Sequence, residues 1–166
     1  MRTWYLAYCK CKEEERARLH LRNQGVDSYY PQVQVEKLVR GQVRQVSEPM
    51  FPCYLFVHVD LEEFSASRLK STRGLRRIIT YGEHWQTVPQ PLIIDLMRHE
   101  NNDEAREHLN QLPRQGETVT IEEGPFSGLQ AIYQEPDGER RSILLLQLLN
   151  QDVSKSFCNR SFRRLA

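Results

Sequence analysis

The sequence predicts an α+β protein: an antiparallel sheet flanked by helices over residues 1–100, a linker over 101–115, and a small second domain over 116–166. Three observations carry that prediction. Residues 53–59 (Cys-Tyr-Leu-Phe-Val-His-Val) are nearly continuously apolar, which marks a strand buried on both faces or held at an interface. Residues 12–24 and 89–99 instead space their apolar side chains at helical steps. Residues 100–114 are polar and close on Pro113, as a connecting segment does.

The elements follow in order. Residues 3–10, rich in Trp, Tyr and Leu, read as the first strand. In the helix that follows, Ala17, Leu21 and Leu19 turn inward, and Gly25 supplies its C-terminal stop. Residues 26–31 are extended. Residues 33–40 alternate at period two, and Gly41-Gln42 fits a hairpin turn into 43–46. After the strand at 53–59, residues 62–71 read as a helix and 75–81 as a strand ended by Gly82. In the helix over 89–99, Pro91 is tolerated in the first turn, and Leu92, Ile93, Leu96 and Met97 share a face.

The last fifty residues carry two conflicting signals. Thr118, Val119, Thr120 and Ile121, then Gly124, Pro125 and Gly128, read as a strand, a loop and a second strand. Residues 142–150 hold five leucines, which favour a helix over a strand. A segment whose local preferences disagree lacks a single deep minimum, which makes it a candidate switch.

Composition narrows the function classes. At 166 residues, 39% hydrophobic and 27% charged, the chain reads as soluble and globular. No transmembrane run or secretory signal is expected, and the cytoplasm is the expected location. The cysteines are Cys9, Cys11, Cys53 and Cys158; their spacing does not suit zinc, and they read as reduced thiols. Residues 1–100 carry 15 Lys and Arg against 12 Asp and Glu, so any basic surface lies on the first domain. None of the five histidines has an evident nucleophile or carboxylate partner, and there is no phosphate-cradling glycine loop. Enzymatic activity, a metal and a cofactor are therefore not expected.

Two groups of residues stand out. Lys12, Arg16, His20 and Gln24 fall on one face of the first helix, with Lys10 leading into it and Thr72-Arg73-Gly74 as candidate neighbours. Such cationic, imidazole and amide groups suit phosphate and base-edge contacts, although a charged helix face is more often just solvated. Tyr54 and Phe56 point the same way from one strand, and Tyr8, Phe51, Ile93, Leu96 and Met97 extend an apolar patch. Core packing is the default for such residues; a partner surface is the alternative.

Taken together, Trp4-Tyr5, Tyr8-Cys9-Lys10, the run from Glu48 through Phe51, Tyr54 and Phe56, and Thr72-Arg73-Gly74 resemble the N-terminal domain of NusG-type transcription elongation factors. The run from Gly116 through Val119, Ile121, Gly124, Pro125 and Phe126 to Gly128 resembles the KOW motif that follows it in that family. Val39-Arg40-Gly41, Val46 to Pro49 and Glu135-Pro136-Asp137-Gly138, followed by the leucine-rich stretch, resemble the family's specialised antitermination branch.

The resemblance implies a monomeric, operon-specific elongation and antitermination factor without a membrane partner. Tyr8, Phe51, Tyr54, Phe56, Ile93, Leu96 and Met97 would bind the β′ clamp helices of RNA polymerase. Lys10, Arg16, His20, Gln24, Thr72 and Arg73 would contact a single-stranded non-template DNA element. Ser65-Ala66-Ser67 stands where the branch contacts the polymerase β gate loop through a His-Thr-Thr stretch, and Asn23 replaces a basic residue.

The resemblance further implies that the second domain is a helical hairpin when docked, the state expected of the free intact chain. Released, it would be a five-stranded KOW barrel that binds a small ribosomal subunit protein. Its apolar face would be Phe126, Ile143, Leu145, Leu146 and Leu149, and Glu48 would pair with Arg141 between domains. Burying four or five leucines contributes roughly 6–12 kcal/mol before entropy, enough to decide between folds. Gly124-Pro125 is expected to break or restart the hairpin's first helix, since an internal proline costs roughly 3 kcal/mol. A general elongation factor with a constitutive barrel, and a KOW-type RNA-binding protein associated with ribosomes, are the competing expectations.

Overall fold

The structure is a computed structural model that describes residues 1–101, 132, 135 and 137–150. The expectations for the linker, the KOW motif, Phe126, Gly124-Pro125 and Cys158 lie outside these residues. Two compact units divide the chain: Met1–Tyr30 with Phe51–Gln90, and Pro31–Met50 with Pro91–Ala166.

The first unit is built on an antiparallel sheet of β1 (Thr3–Cys9), β2 (Asp27–Tyr29), β5 (Tyr54–Val59), β6 (Leu75–Ile78) and β9 (Thr87–Val88). The strands run β2-β5-β1-β6, and β9 pairs with the start of β1. β1 and β5 form its centre, with Thr3 opposite Val59 and Tyr8 opposite Tyr54. This register places Ala7, Cys9, Leu55, Val57 and Val59 in the core, packed with Ala17 and Leu21 of α1 (Glu14–Asn23) and Leu69 of α2 (Ala66–Lys70). Leu19 is 52% exposed, contrary to the sequence reading; it sits two residues from both Ala17 and Leu21, about 200° around the helix.

Local chemistry sets the ends of these helices. Glu14 and Glu15 occupy the first turn of α1 and His20 and Arg22 its last, each sign favourable to the helix dipole. Gly25, at φ +76°, closes α1: its N–H donates to the Arg22 carbonyl while the Val26 N–H donates to the Leu21 carbonyl. Val26 and Leu21 are both in the core, the apolar contact this ending favours. Helix α2 is shorter than the expected 62–71 because Ser65 caps it, accepting from the Arg68 N–H. The strand expected over 75–81 is interrupted at Ile79; Thr80–Tyr81 (β7) forms a separate small hairpin with His84–Trp85 (β8).

The second unit contains the hairpin of β3 (Gln32–Val39) and β4 (Gln42–Pro49), the helix α3 (Gln90–Asn101) and a helix α4 (Gly138–Asn150). The hairpin turn is Arg40-Gly41, one residue earlier than the sequence suggested, with φ of +51° and +77°. Positive φ at both central residues is the turn geometry that matches strand twist, and Arg40 accepts it despite its side chain. Asp137 caps the start of helix α4: its carboxylate accepts from the Glu139 N–H and its carbonyl accepts from the Arg141 N–H. The leucine-rich segment is therefore helical. Its buried stripe is Arg141, Ser142, Leu145, Leu148 and Leu149, at steps of three and four. Ile143, which the resemblance put on the apolar face, lies opposite that stripe and is 54% exposed; Leu146 is half-buried.

Candidate functional site

Strand alternation assembles the aromatic face of the first unit. With Leu55 and Val57 committed to the core, β5 turns Tyr54, Phe56 and His58 to the other side of the sheet, beside Trp4, Leu6 and Tyr8 of β1. Tyr8 meets Tyr54 edge-on at 5.1 Å between ring centroids, Phe51 meets Phe56 edge-on at 6.0 Å, and Trp4 stacks on His58 at 4.5 Å. The Arg77 guanidinium lies 5.6 Å from the centre of the Tyr8 ring. Burial pushes the Tyr54 phenol up, reinforced by Tyr8 and opposed by the positive charge of Arg77. His58 and Arg77 were not among the sequence candidates. The period-two alternation that places Tyr54 and Phe56 together also places His58 with them, so that signal was present. Ile93, Leu96 and Met97 share one face of α3 in the second unit, Ile93 and Leu96 buried and Met97 half-buried.

The polar group surrounds the start and one face of α1. Lys10, Arg16 and Arg73 are exposed and His20 is half-buried; the Arg16 guanidinium donates to Glu13 at 2.7 Å. Gln24 and Thr72 are less available. The Gln24 amide donates to the Thr72 hydroxyl at 3.0 Å and to the His20 carbonyl at 3.0 Å, and the Thr72 hydroxyl donates to the Arg68 carbonyl at 3.2 Å. Thr72 is buried. These two side chains fix the turn carrying Arg73 against the end of α1. Gly74 makes the approach close: a Cβ there would lie 2.7 Å from the Ala17 amide nitrogen, and its φ is +91°. The Gly74 carbonyl also accepts from the Lys10 N–H at 2.9 Å, so Lys10 and Arg73 are positioned by one contact.

In the second unit the Arg141 side chain is 1% exposed. Its guanidinium donates to Glu48 Oε1 at 2.8 Å, the Met50 carbonyl at 2.9 Å, the Glu135 carbonyl at 3.0 Å and the Pro49 carbonyl at 3.4 Å. Lys37 Nζ lies 2.7 Å from the other Glu48 oxygen. Burial alone would raise the pKa of Glu48; the hydrogen bonds and charges of Lys37 and Arg141 outweigh it and hold the carboxyl below its ordinary range.

Residues 2–97, more than half of the chain, match the family model described as transcription termination factor NusG. The chain belongs to the NusG family. Two relatives, each named transcription termination/antitermination protein NusG, come from Helicobacter pylori. The protein of strain J99 is 27% identical and that of strain 26695 is 29% identical, each over 112 residues covering 67% of this chain. Those matches span 62% of the length of the NusG relatives. A solved structure concerned with domain interaction in Thermotoga maritima NusG aligns over 76% of this chain and 75% of its own, at 18% identity and a TM-score of 0.40. Among the described residues of this NusG-family chain, no helix is long and apolar enough to cross a membrane, and no group of His, Cys, Asp and Glu side chains is arranged to hold a metal ion.

Proposed function

We propose that this NusG-family chain is an RfaH-type transcription factor: an operon-specific, non-enzymatic elongation and antitermination factor, autoinhibited by its own C-terminal segment. It binds RNA polymerase through the aromatic face around Tyr8, Phe51, Tyr54 and Phe56 together with Ile93, Leu96 and Met97. It contacts the exposed non-template DNA strand of a paused complex through Lys10, Arg16, His20 and Arg73, with Gln24 and Thr72 bracing the site. Pausing and termination are thereby suppressed. The released C-terminal domain forms a KOW barrel and recruits the small ribosomal subunit.

One observation supports this over a constitutive barrel. The segment that would supply strands to a KOW barrel is the helix Gly138–Asn150, and its buried Arg141 is bound to Glu48. The modest charge of the first domain is compatible with the DNA reading. A site tethered on polymerase gains from effective concentration and needs few phosphate contacts.

The competing reading is a general NusG-type elongation factor, favoured by the names of the H. pylori relatives. Circular dichroism and backbone chemical shifts of the intact chain and of residues 101–166 alone separate the two. Helical shifts over 138–150 in the intact chain and strand shifts in the isolated fragment are expected. Strand shifts in both would sink autoinhibition. Pull-down with core polymerase tests the shared part, and no binding to the β′ clamp helices would end both readings.

A further inference from the structure

Residues 64–82 hold five cations (Arg68, Lys70, Arg73, Arg76 and Arg77) and no Asp or Glu, in a chain whose net charge is only +1. All five are exposed, and none forms an ion pair among the described residues. Elsewhere in the same unit Arg2, Arg16 and Arg18 each have a carboxylate within 3.1 Å. Like charges held together without a local counterion favour a polyanionic partner.

The fold gathers three of these cations along one short path. Lys70 is in the last turn of α2, Arg73 follows in the connection, and Arg76 lies in β6. The Thr72 N–H donates to the Leu69 carbonyl and the Leu75 N–H to the Thr72 carbonyl, each at 3.2 Å, so two successive turns join the helix to the strand. Arg76 owes its place to an irregularity of β6. Tyr8 faces Arg77 and Cys9 faces Leu75, so β6 holds one residue more than β1 and no β1 residue faces Arg76. The extra residue lets Leu75 and Ile78, three positions apart, both join the core; in a regular strand they would face opposite sides. β6 also ends the strand order, which leaves Arg76 at a sheet edge.

An aromatic ring stands beside this path. Lys70 Nζ lies 5.6 Å from the centre of the half-buried Trp85 ring, which meets Tyr5 edge-on at 5.5 Å. The Arg68 guanidinium lies 4.9 Å from the centre of the Phe64 ring in the same way. Cations interleaved with partly open rings suit a single strand, whose phosphates are charged and whose unpaired bases stack. We propose that Lys70, Arg76 and Trp85 form a further binding segment for single-stranded DNA, continuous with Lys10 and Arg73. Lys70 and Arg76 hold successive phosphates, and a base packs against Trp85 beside Lys70. This segment rests on the DNA reading above and adds to it two cations and a ring.

The test is an NMR titration of the nitrogen-15-labelled full chain with oligo-dT of about four and about ten nucleotides, and with oligo-U of about ten. The indole N–H signals carry an internal control: Trp4 and Tyr5 are adjacent on β1 and face opposite sides, so Trp4, stacked on His58, and Trp85, against Tyr5, report different faces of the sheet. The longer oligo-dT is expected to shift the Trp85 indole and the Arg76 amide along with the Lys10 and Arg73 amides, and to leave Trp4 in place. Lys70→Gln and Arg76→Gln, both at exposed positions, are each expected to lower its salt slope by about 0.7 and to remove most of its advantage over the shorter oligo-dT. Trp85→Leu is expected to weaken it about fivefold. Shifts at Lys10 and Arg73 without Arg76 and Trp85 overturn the added segment and leave the DNA reading standing; shifts at none of the four overturn both. A shift of Trp4 in place of Trp85, or tighter binding of oligo-U than of oligo-dT at this segment, also overturns the proposal.

Discussion

Arg141 and Glu48 lie 93 positions apart in sequence, yet Arg141 Nη2 donates to Glu48 Oε1 at 2.8 Å from a guanidinium that is almost wholly buried. A buried charge is tolerable only while its donors are met, and four acceptors meet them here. Glu48→Ser removes the one acceptor that carries a full negative charge. Its expected effect is a loss of roughly 3–5 kcal/mol from the arrangement holding α4, the usual consequence of leaving a buried charge uncompensated. Backbone chemical shifts over 138–150 check this. Unchanged helical shifts in the variant would show that the carbonyls alone suffice.

The same carboxyl gives a pH signature. Its folded pKa lies below the ordinary 4.5, so the unfolded chain takes up the proton first as pH falls. The stabilisation is complete above about pH 4.5 and is lost as pH falls through the lower folded value. Glu48→Gln is expected to flatten that part of a stability–pH curve, measured by urea unfolding at a series of pH values.

Asp95 behaves in the opposite sense. It is 4% exposed, its Oδ2 has no hydrogen-bond partner among the described residues, and burial raises its pKa. A raised folded value means stability present below the ordinary 3.8 and lost as pH rises through the folded value. Asp95→Asn is therefore expected to raise the urea midpoint at pH 7 and have little effect at pH 3. A fall at pH 7 would mean that the carboxylate is compensated after all.

Gly74→Ala tests the close approach between the β6 turn and α1. The added Cβ meets backbone at 2.7 Å and 2.8 Å, and neither atom is a flexible side-chain end. Together with φ +91°, this is expected to cost about 1–3 kcal/mol or more in urea unfolding. Gly41→Ala, also at positive φ but with open space around it, is the control and should cost less.

The proposed DNA site makes a separate prediction. Lys10→Ala and Arg73→Ala should each weaken binding to single-stranded DNA on a paused complex, and each should reduce the salt slope by about 0.7. Thr72→Val should weaken binding without changing the slope, because Thr72 is buried and positions Arg73. A slope change in Thr72→Val would place that hydroxyl in direct contact instead.

Much of the first unit was legible in the sequence because its signals agree. A nearly continuous apolar run marks β5, a run rich in Trp, Tyr and Leu marks β1, and Gly25 fixes the end of α1. The misreadings have specific causes. Arg40 takes a positive φ that its residue type disfavours, so the hairpin turn was displaced by one residue. Ile143 was expected on the buried face from the resemblance, and the apolar run around it has no internal contrast to correct that; the stripe is revealed by Arg141 and Ser142, two polar residues that a hydrophobic pattern assigns to solvent. Gln24 and Thr72 carry groups that suit nucleic acid, but composition does not show that they are already bonded to each other.

The carbonyls bound by Arg141 belong to Pro49 and Met50, directly after the Glu48 that supplies its carboxylate. The guanidinium thus reads three consecutive residues at the end of β4 as a ruler reads a scale. A one-residue slip of β4 against β3 would turn Glu48 to the opposite side of the hairpin and shift both carbonyls out of reach. An arginine on one helix therefore proofreads the strand alignment of a distant hairpin, and only the correctly paired hairpin offers it a place to stay buried.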